Sequence, residues 1–225
     1  MARLGNLAGR CHACRMLRLF GDNLWESPYV FGVYVALREK GLDFEEVVFD
    51  LSRGEQRQPP FAAASLTAKV PAIQHDDFWL TESLAIIEYL EERFPAPEHA
   101  AILPGTVEER ARARQVLGFL RSGIEQLRNE RPTSSLFFDR ARAPLGDRAR
   151  ADADRLIGLV ERILPPGGTS LFSTWSVCDA EVSLALHRLI VNGDPVPTGV
   201  RAYAEATWRR PSVRGYVDHD RPLHG

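Results

Sequence analysis

Two kinds of hydrophobic periodicity divide this chain, and the division limits the folds open to it. Up to Phe94, short alternating or β-branched runs are interleaved with helical stretches. Beyond Pro104-Gly105 no strand pattern remains. Any sheet must therefore be built from the first part, and the remainder must pack as helices. Pro95-Ala96-Pro97 marks the seam.

Within the first part, Leu17-Arg18-Leu19-Phe20 alternates as a strand and Gly21-Asp22-Asn23 breaks it. Ser27-Pro28 then starts a helix, a hydroxyl at the N-cap and proline at the first helical position. Val30, Val33, Tyr34 and Leu37 give this helix its apolar face, and Gly41 ends it. Phe44 to Phe49 reads as a second strand, residues 52–69 as irregular chain with Pro59-Pro60 inside, and Val70 to Gln74 as a third strand. His75-Asp76-Asp77 is a tight turn into a fourth strand at Phe78-Trp79-Leu80. Leu84, Ile87, Leu90 and Phe94 line a helix that Pro95 ends. The order is β-α-β-β-β-α. The strands flanking the first helix are expected to be parallel with a right-handed crossover, and the last two to form a hairpin.

In the second part, one long helix is expected over residues 107–130, with Val116, Phe119, Leu120, Ile124 and Leu127 inward. A second spans 147–164, a third opens at Ser176-Val177-Cys178-Asp179, and a shorter fourth runs from Gly199 to Arg209. The fold class is thus α/β plus all-α: residues 16–95 form the mixed domain, 96–106 a linker, and 107–225 an all-helical domain. Residues 1–15 read as a disordered tail. Its Cys11-His12-Ala13-Cys14 precedes the first strand instead of following one, which disfavours a redox role, and no second Cys pair supplies the further ligands a zinc site needs.

Composition excludes several classes. Across 225 residues, 44% are hydrophobic, 26% are charged and the net charge is -2, so no nucleic-acid or anionic-membrane surface is indicated. The apolar runs are too short to span a bilayer and no secretory signal is visible. With 3 Cys in no framework spacing, a reducing, cytoplasmic location is expected. The 6 His form no ligand spacing, and no metal is expected.

The segment from Lys69 to Ser83 carries the chemistry. Pro71, at the entrance to a β-branched run, removes a ladder donor and is a residue that can carry a cis bond, so that the chain before it presents its backbone to an extended peptide instead of to another strand. Glu82 can meet an ammonium group. The Ser83 hydroxyl, with the first N–H groups of the following helix, can hold a carboxylate.

Ser27-Pro28-Tyr29, Lys69-Val70-Pro71, Glu82-Ser83 and Ser176-x-x-Asp179, in that order and spacing, resemble the cytosolic glutathione transferase family from about Met16 onward. The resemblance implies a thioredoxin-like first domain and a helical-bundle second domain that shapes a pocket for the second substrate. Val70, before a cis Pro71, would bind the cysteine of glutathione; Glu82 and Ser83 would hold its γ-glutamyl end; Lys69 would approach its glycyl carboxylate. The family's usual Asn-Pro ahead of this segment is replaced by Ala64-Ser65-Leu66-Thr67-Ala68. Ser27 stands where serine-type members, near the theta and zeta groups or unclassified bacterial ones, carry their catalytic hydroxyl. That hydroxyl would donate to the glutathione thiolate and lower its pKa from about 8.5.

The activity so implied is a detoxifying conjugation of glutathione to small electrophiles, with organic peroxides as further substrates, in a homodimer. Two alternatives stand beside it. One is a zeta-like glutathione-dependent isomerase, against which Trp25-Glu26-Ser27 stands in place of a Ser-Ser-Cys stretch. The other is a binding protein that keeps the fold without turnover.

Each motif also has a plainer use. Ser27 and Ser83 are ordinary helix caps, and Lys69 a surface charge. Ser176-x-x-Asp179 has capping-box spacing and is read as structural. Trp25 and Phe138 are candidate pocket walls, though aromatic residues more often serve the core. Glu108 to Arg114 reads as a solvated helix face.

Overall fold

The computed structural model describes residues 16–141 and 143–222; the expected tail, with Cys11 and Cys14, lies outside them. Strand β1 (Leu17–Asp22) leads into helix α1 (Pro28–Glu39), followed by β2 (Glu45–Phe49). A single 3₁₀ turn at Glu55–Arg57 and a short helix α2 (Phe61–Ala64) occupy the segment expected to be irregular. Then come β3 (Ala72–His75), β4 (Phe78–Thr81) and α3 (Ser83–Arg93). The sheet order is β2-β1-β3-β4. β1 runs parallel to β2, and β3 runs antiparallel to both β1 and β4. Both expected pairings hold.

The helical part comprises α4 (Val107–Ser122), α5 (Glu125–Glu130), α6 (Ser134–Phe137), α7 (Asp147–Ile163), α8 (Val177–Ile190), α9 (Thr198–Trp208) and α10 (Pro211–Val217). The single helix expected over 107–130 is broken. Gly123 sits against the Phe119 ring, where an added Cβ would lie 2.3 Å from a ring carbon, and Asp152 caps the restart by accepting from the Gln126 and Leu127 N–H groups.

The alternation of β1 sends its side chains to two cores. Leu17 and Leu19 join α1, α3, α8 and α10 in the main core. Phe20 faces the other side of the sheet and packs with Phe61, Phe49 and Trp79. Every residue of α1 from Val30 to Leu37 is buried, so this helix has no solvent face, and its buried set includes positions beyond the expected stripe. A second core, under α4, α7, α8 and α9, holds the helical part together.

The segment after α3 is anchored. Buried Lys40 donates to the carbonyls of Phe94 and Ala100 and pairs with Glu91 at 2.8 Å, while Glu91 also accepts from the Ile102 N–H. Ile102 and Leu103 are buried in the main core.

Asp179 closes a capping box at the start of α8 and does more than cap. Its carboxylate accepts from the Ser176 and Leu171 N–H groups, both at 2.8 Å, and from the Tyr203 hydroxyl at 3.0 Å. Burial raises its pKa despite these bonds. Asp179→Ala leaves three buried donors without an acceptor, at about 1–3 kcal/mol each before relaxation. The expected outcome is a loss of roughly 2–5 kcal/mol, read as a calorimetric melting shift, with Asp179→Asn losing less because its amide oxygen still accepts.

Candidate functional site

β3 and β4 bring the motif residues together. The register pairs Ala72 with Thr81, which sets Pro71 beside Glu82 at the open end of the hairpin. Strand β3 starts at Ala72, later than expected, because Pro71 has no N–H for the ladder. The Val70–Pro71 bond is cis, as expected. Among the described residues, the N–H and C=O of Val70 take part in no backbone–backbone hydrogen bond. Glu82 is held at φ 70, a left-handed conformation uncommon for a non-glycine residue. Its backbone carbonyl starts α3 by accepting from the Ile86 N–H, which leaves its side chain free.

Lys69, Val70, Pro71, Glu82 and Ser83 line one pocket of about 280 Å³, together with Tyr29 of α1 and Arg121 of α4. Lys69 and Glu82 are exposed, and among the described residues neither side chain has an ion-pair partner. Ser83 is buried, and its hydroxyl accepts from Arg121 Nη2 at 2.8 Å. The Arg121 guanidinium in turn forms a two-pronged pair with Glu181 of α8, at 2.8 and 3.1 Å. It also lies 5.5 Å from the centroid of the Tyr29 ring, and Arg128 donates to the Tyr29 hydroxyl.

Ser27 lies elsewhere, in a neighbouring cavity of about 900 Å³ lined also by Asp22, Glu26, Pro28, Asp50, Arg53 and Thr133. The start of α1 borders both cavities, Pro28 lining the one with Ser27 and Tyr29 the other. Ser27 is the N-cap, its Oγ accepting from the Val30 N–H at 3.3 Å. Among the described residues that hydroxyl donates to nothing, so its hydrogen is available to a ligand.

The loop that carries Ser27 is fixed from below. Buried Asp22 accepts from the Glu26 and Ser27 N–H groups. The Tyr216 hydroxyl donates to the Ser27 carbonyl, and Arg221 donates twice to the Trp25 carbonyl. Burial and the nearby Asp22 charge push the Tyr216 phenol well above its ordinary pKa, keeping it a donor. Trp25 is a core residue stacked on His219, and neither it nor Phe138 lines either cavity.

Tyr29 appears in the Ser27-Pro28-Tyr29 motif but carried no sign of a role in the pocket, and Arg121 and Glu181 carried no signal in the sequence. Arg121 is one of several arginines on its helix, and its role emerges only when α4, α3 and α8 meet.

Residues 106–220 match the family model for the glutathione S-transferase C-terminal domain, and residues 26–93 match that for the glutathione S-transferase N-terminal domain. The chain belongs to the glutathione S-transferase family. A crystal structure of a glutathione transferase homologue from Burkholderia gl. BGR1 with bound glutathione superposes with a TM-score of 0.75 at 35% identity, covering 91% of this chain and 97% of that one. Among curated relatives, glutathione S-transferase 1 of Dianthus caryophyllus is 40% identical over 103 residues, 46% of this chain and 45% of its own. Maleylacetoacetate isomerase of Pseudomonas aeruginosa is 41% identical over 108 residues, 47% of this chain and 50% of its own. The chain spans about half the length of the curated relatives it matches.

Within this transferase fold, one glycine controls how the pocket is closed from behind. A Cβ on Gly32 of α1 would stand 2.4 Å from Glu181 Oε1. Alanine is the better helix former by about 1 kcal/mol. Gly32→Ala is nonetheless expected to destabilise by roughly 1–3 kcal/mol, because Glu181 must leave its pair with Arg121. A melting curve shifted upward would contradict this.

Proposed function

We propose that the chain is a glutathione transferase that activates the glutathione thiol for attack on small electrophiles, organic peroxides included. The observation that carries this reading is the pocket at Val70, where an unpaired backbone edge is flanked by an unpaired cation, Lys69, and an unpaired anion, Glu82. Such a frame suits an extended zwitterionic peptide with separated end charges. Glutathione has that form, and the Burkholderia homologue was crystallised with it. Val70 pairs with the cysteinyl backbone, Glu82 with the ammonium, Ser83 with the γ-glutamyl carboxylate, and Lys69 with the glycyl carboxylate.

The sulfur then points toward the start of α1. There the helix dipole and the free hydrogen of Ser27 favour the anion. Ser27 donates; it is not itself the nucleophile. The thiolate attacks the electrophile, whose approach is through the neighbouring cavity.

The isomerase alternative draws support from the maleylacetoacetate isomerases among the relatives. The neighbouring cavity argues for the transferase. Among the described residues its lining includes Asp22, Glu26 and Asp50, together with Arg53, which is paired with Asp50 at 3.3 Å. Asp22, whose buried carboxylate accepts from two backbone N–H groups, and Asp50, already paired with Arg53, offer nothing that would hold a dicarboxylate substrate there, whereas a neutral electrophile needs no such partner. A glutathione-fold binding protein without turnover has no observation in its favour over these two.

A cytoplasmic homodimer completes the reading. No helix among the described residues is long and apolar enough to cross a membrane. Phe78 and Val107 are exposed, and an apolar-floored groove runs between α4 and α7 at Val116, Phe119, Leu159 and Ile163. Light scattering at micromolar concentration is expected to give twice the chain mass; the monomer mass would remove the dimer.

The main test uses calorimetry and thiolate absorbance together. Glu82→Gln is expected to weaken glutathione roughly tenfold or more, a lost charge-assisted bond being worth about 1.5–3 kcal/mol. Ser27→Ala is expected to bind glutathione nearly as well, with its bound thiol titrating at higher pH and conjugation at neutral pH slowed. Coincident titration curves and equal rates would leave Ser27 a helix cap only.

A further inference from the structure

We propose that Arg121 is a positioning residue that turns the Ser83 hydroxyl into a one-way donor toward the γ-glutamyl α-carboxylate. The inference rests on the pocket being a glutathione site.

A serine hydroxyl has one hydrogen and two acceptor lone pairs. Arg121 Nη2 donates to Ser83 Oγ at 2.8 Å, and a guanidinium can only donate. The hydroxyl hydrogen must then point away from Arg121. A helical serine commonly spends that hydrogen on a backbone carbonyl one turn back. Ser83 is the first residue of α3 and, among the described residues, donates to no carbonyl. Its hydrogen is free for an acceptor in the pocket it lines.

Arg121 does not reach the ligand with the same groups. Its four Nη hydrogens are matched by four acceptor contacts: the Leu117 carbonyl, two with Glu181, and Ser83. With its Nη groups so committed, its route to that carboxylate runs through Ser83. Glu181 is nearly fully buried, and its two-pronged grip sets the guanidinium plane. Gly32 is what lets α8 bring Glu181 this close to α1. The nearby Arg128 is committed to the Tyr29 hydroxyl and the Leu120 carbonyl, so it does not share the task.

A buried pair serving only to join the two halves of the molecule would affect all ligands alike. Positioning of one donor affects only ligands with a carboxylate at that place. The experiment compares glutathione with γ-aminobutyryl-cysteinyl-glycine, which lacks the γ-glutamyl α-carboxylate but keeps the ammonium, and with glutaryl-cysteinyl-glycine, which keeps that carboxylate and lacks the ammonium. Dissociation constants are measured for wild type, Arg121→Gln/Glu181→Gln, Ser83→Ala and the triple variant. The paired amides avoid stranding a buried Glu181 charge; Arg121→Lys, which keeps charge but loses the fork, is the second variant should that pair fail to fold.

The expected result is roughly tenfold weaker binding of both carboxylate-bearing peptides in the paired variant or in Arg121→Lys, with the analogue changed less than about twofold. The triple variant should be no weaker than Ser83→Ala alone. Equal weakening of all three peptides, or additive losses in the triple variant, would overturn the positioning role while leaving the glutathione site intact. Absence of glutathione binding by wild type would overturn the site and the inference together.

Discussion

The main core and both cavities are arranged around a helix with no exposed side. α1 is buried from Val30 to Leu37, with the sheet and α3 against it in the first half of the chain and α8 and α10 against it from the second. A helix enclosed on all faces cannot slide or tilt without opening a cavity. Its first turn is therefore a fixed point in the fold. Both cavities are built against that point, one through Pro28 and the other through Tyr29. The two halves share one core here, and the segment between them is pinned by Lys40 and Glu91 instead of swinging free.

Enclosure of α1 also explains an otherwise costly feature. Glu181 and Arg121 are charges placed at a helix–helix contact, where apolar side chains of similar volume would often be as stable or more so. The contact is close enough to require glycine at position 32. Stability does not account for a salt bridge bought at that expense. What the pair adds is reach, since Arg121 extends from α4 past α8 to the hydroxyl of Ser83 in the other half.

Much of the fold was legible in the sequence because its signals are local. Ser27-Pro28 starts α1, Gly41 ends it at φ 65, and the turn at Asp76 joins β3 to β4. The pocket residues were legible for the same reason. Lys69 to Ser83 is one hairpin with its approaches, and the pairing of Ala72 with Thr81 returns Glu82 to the side of Pro71. What escaped was set by tertiary contact. The break at Gly123 depends on the Phe119 ring, and α10 is held by packing on α1 more than by its own pattern. Trp25 looked like a pocket wall until His219, nearly two hundred positions later, covered its face. Arg121 and Arg221 act over separations of 38 and 196 residues, which no short motif records.

Ser27 shows why cap and donor could not be separated by sequence and need not be separated in the structure. Capping uses a lone pair of Oγ, here on the Val30 N–H, and is worth about 1 kcal/mol. It leaves the hydrogen unspent. The cap also fixes the χ angle of the side chain, so the remaining hydrogen is swung on a single axis at the mouth of the cavity. The carbonyl of the same residue is held by Tyr216 and the N–H by Asp22, both buried. Backbone and side chain are thus aimed by separate groups, and the atom that stabilises the helix is the one whose free hydrogen is proposed to meet the thiolate. A residue that only capped would not need its peptide group gripped from two sides. A residue that only donated would lose its aim once the Val30 bond was gone. The observed cap and the proposed donation are thus compatible in one side chain, and the buried α1 holds it in place.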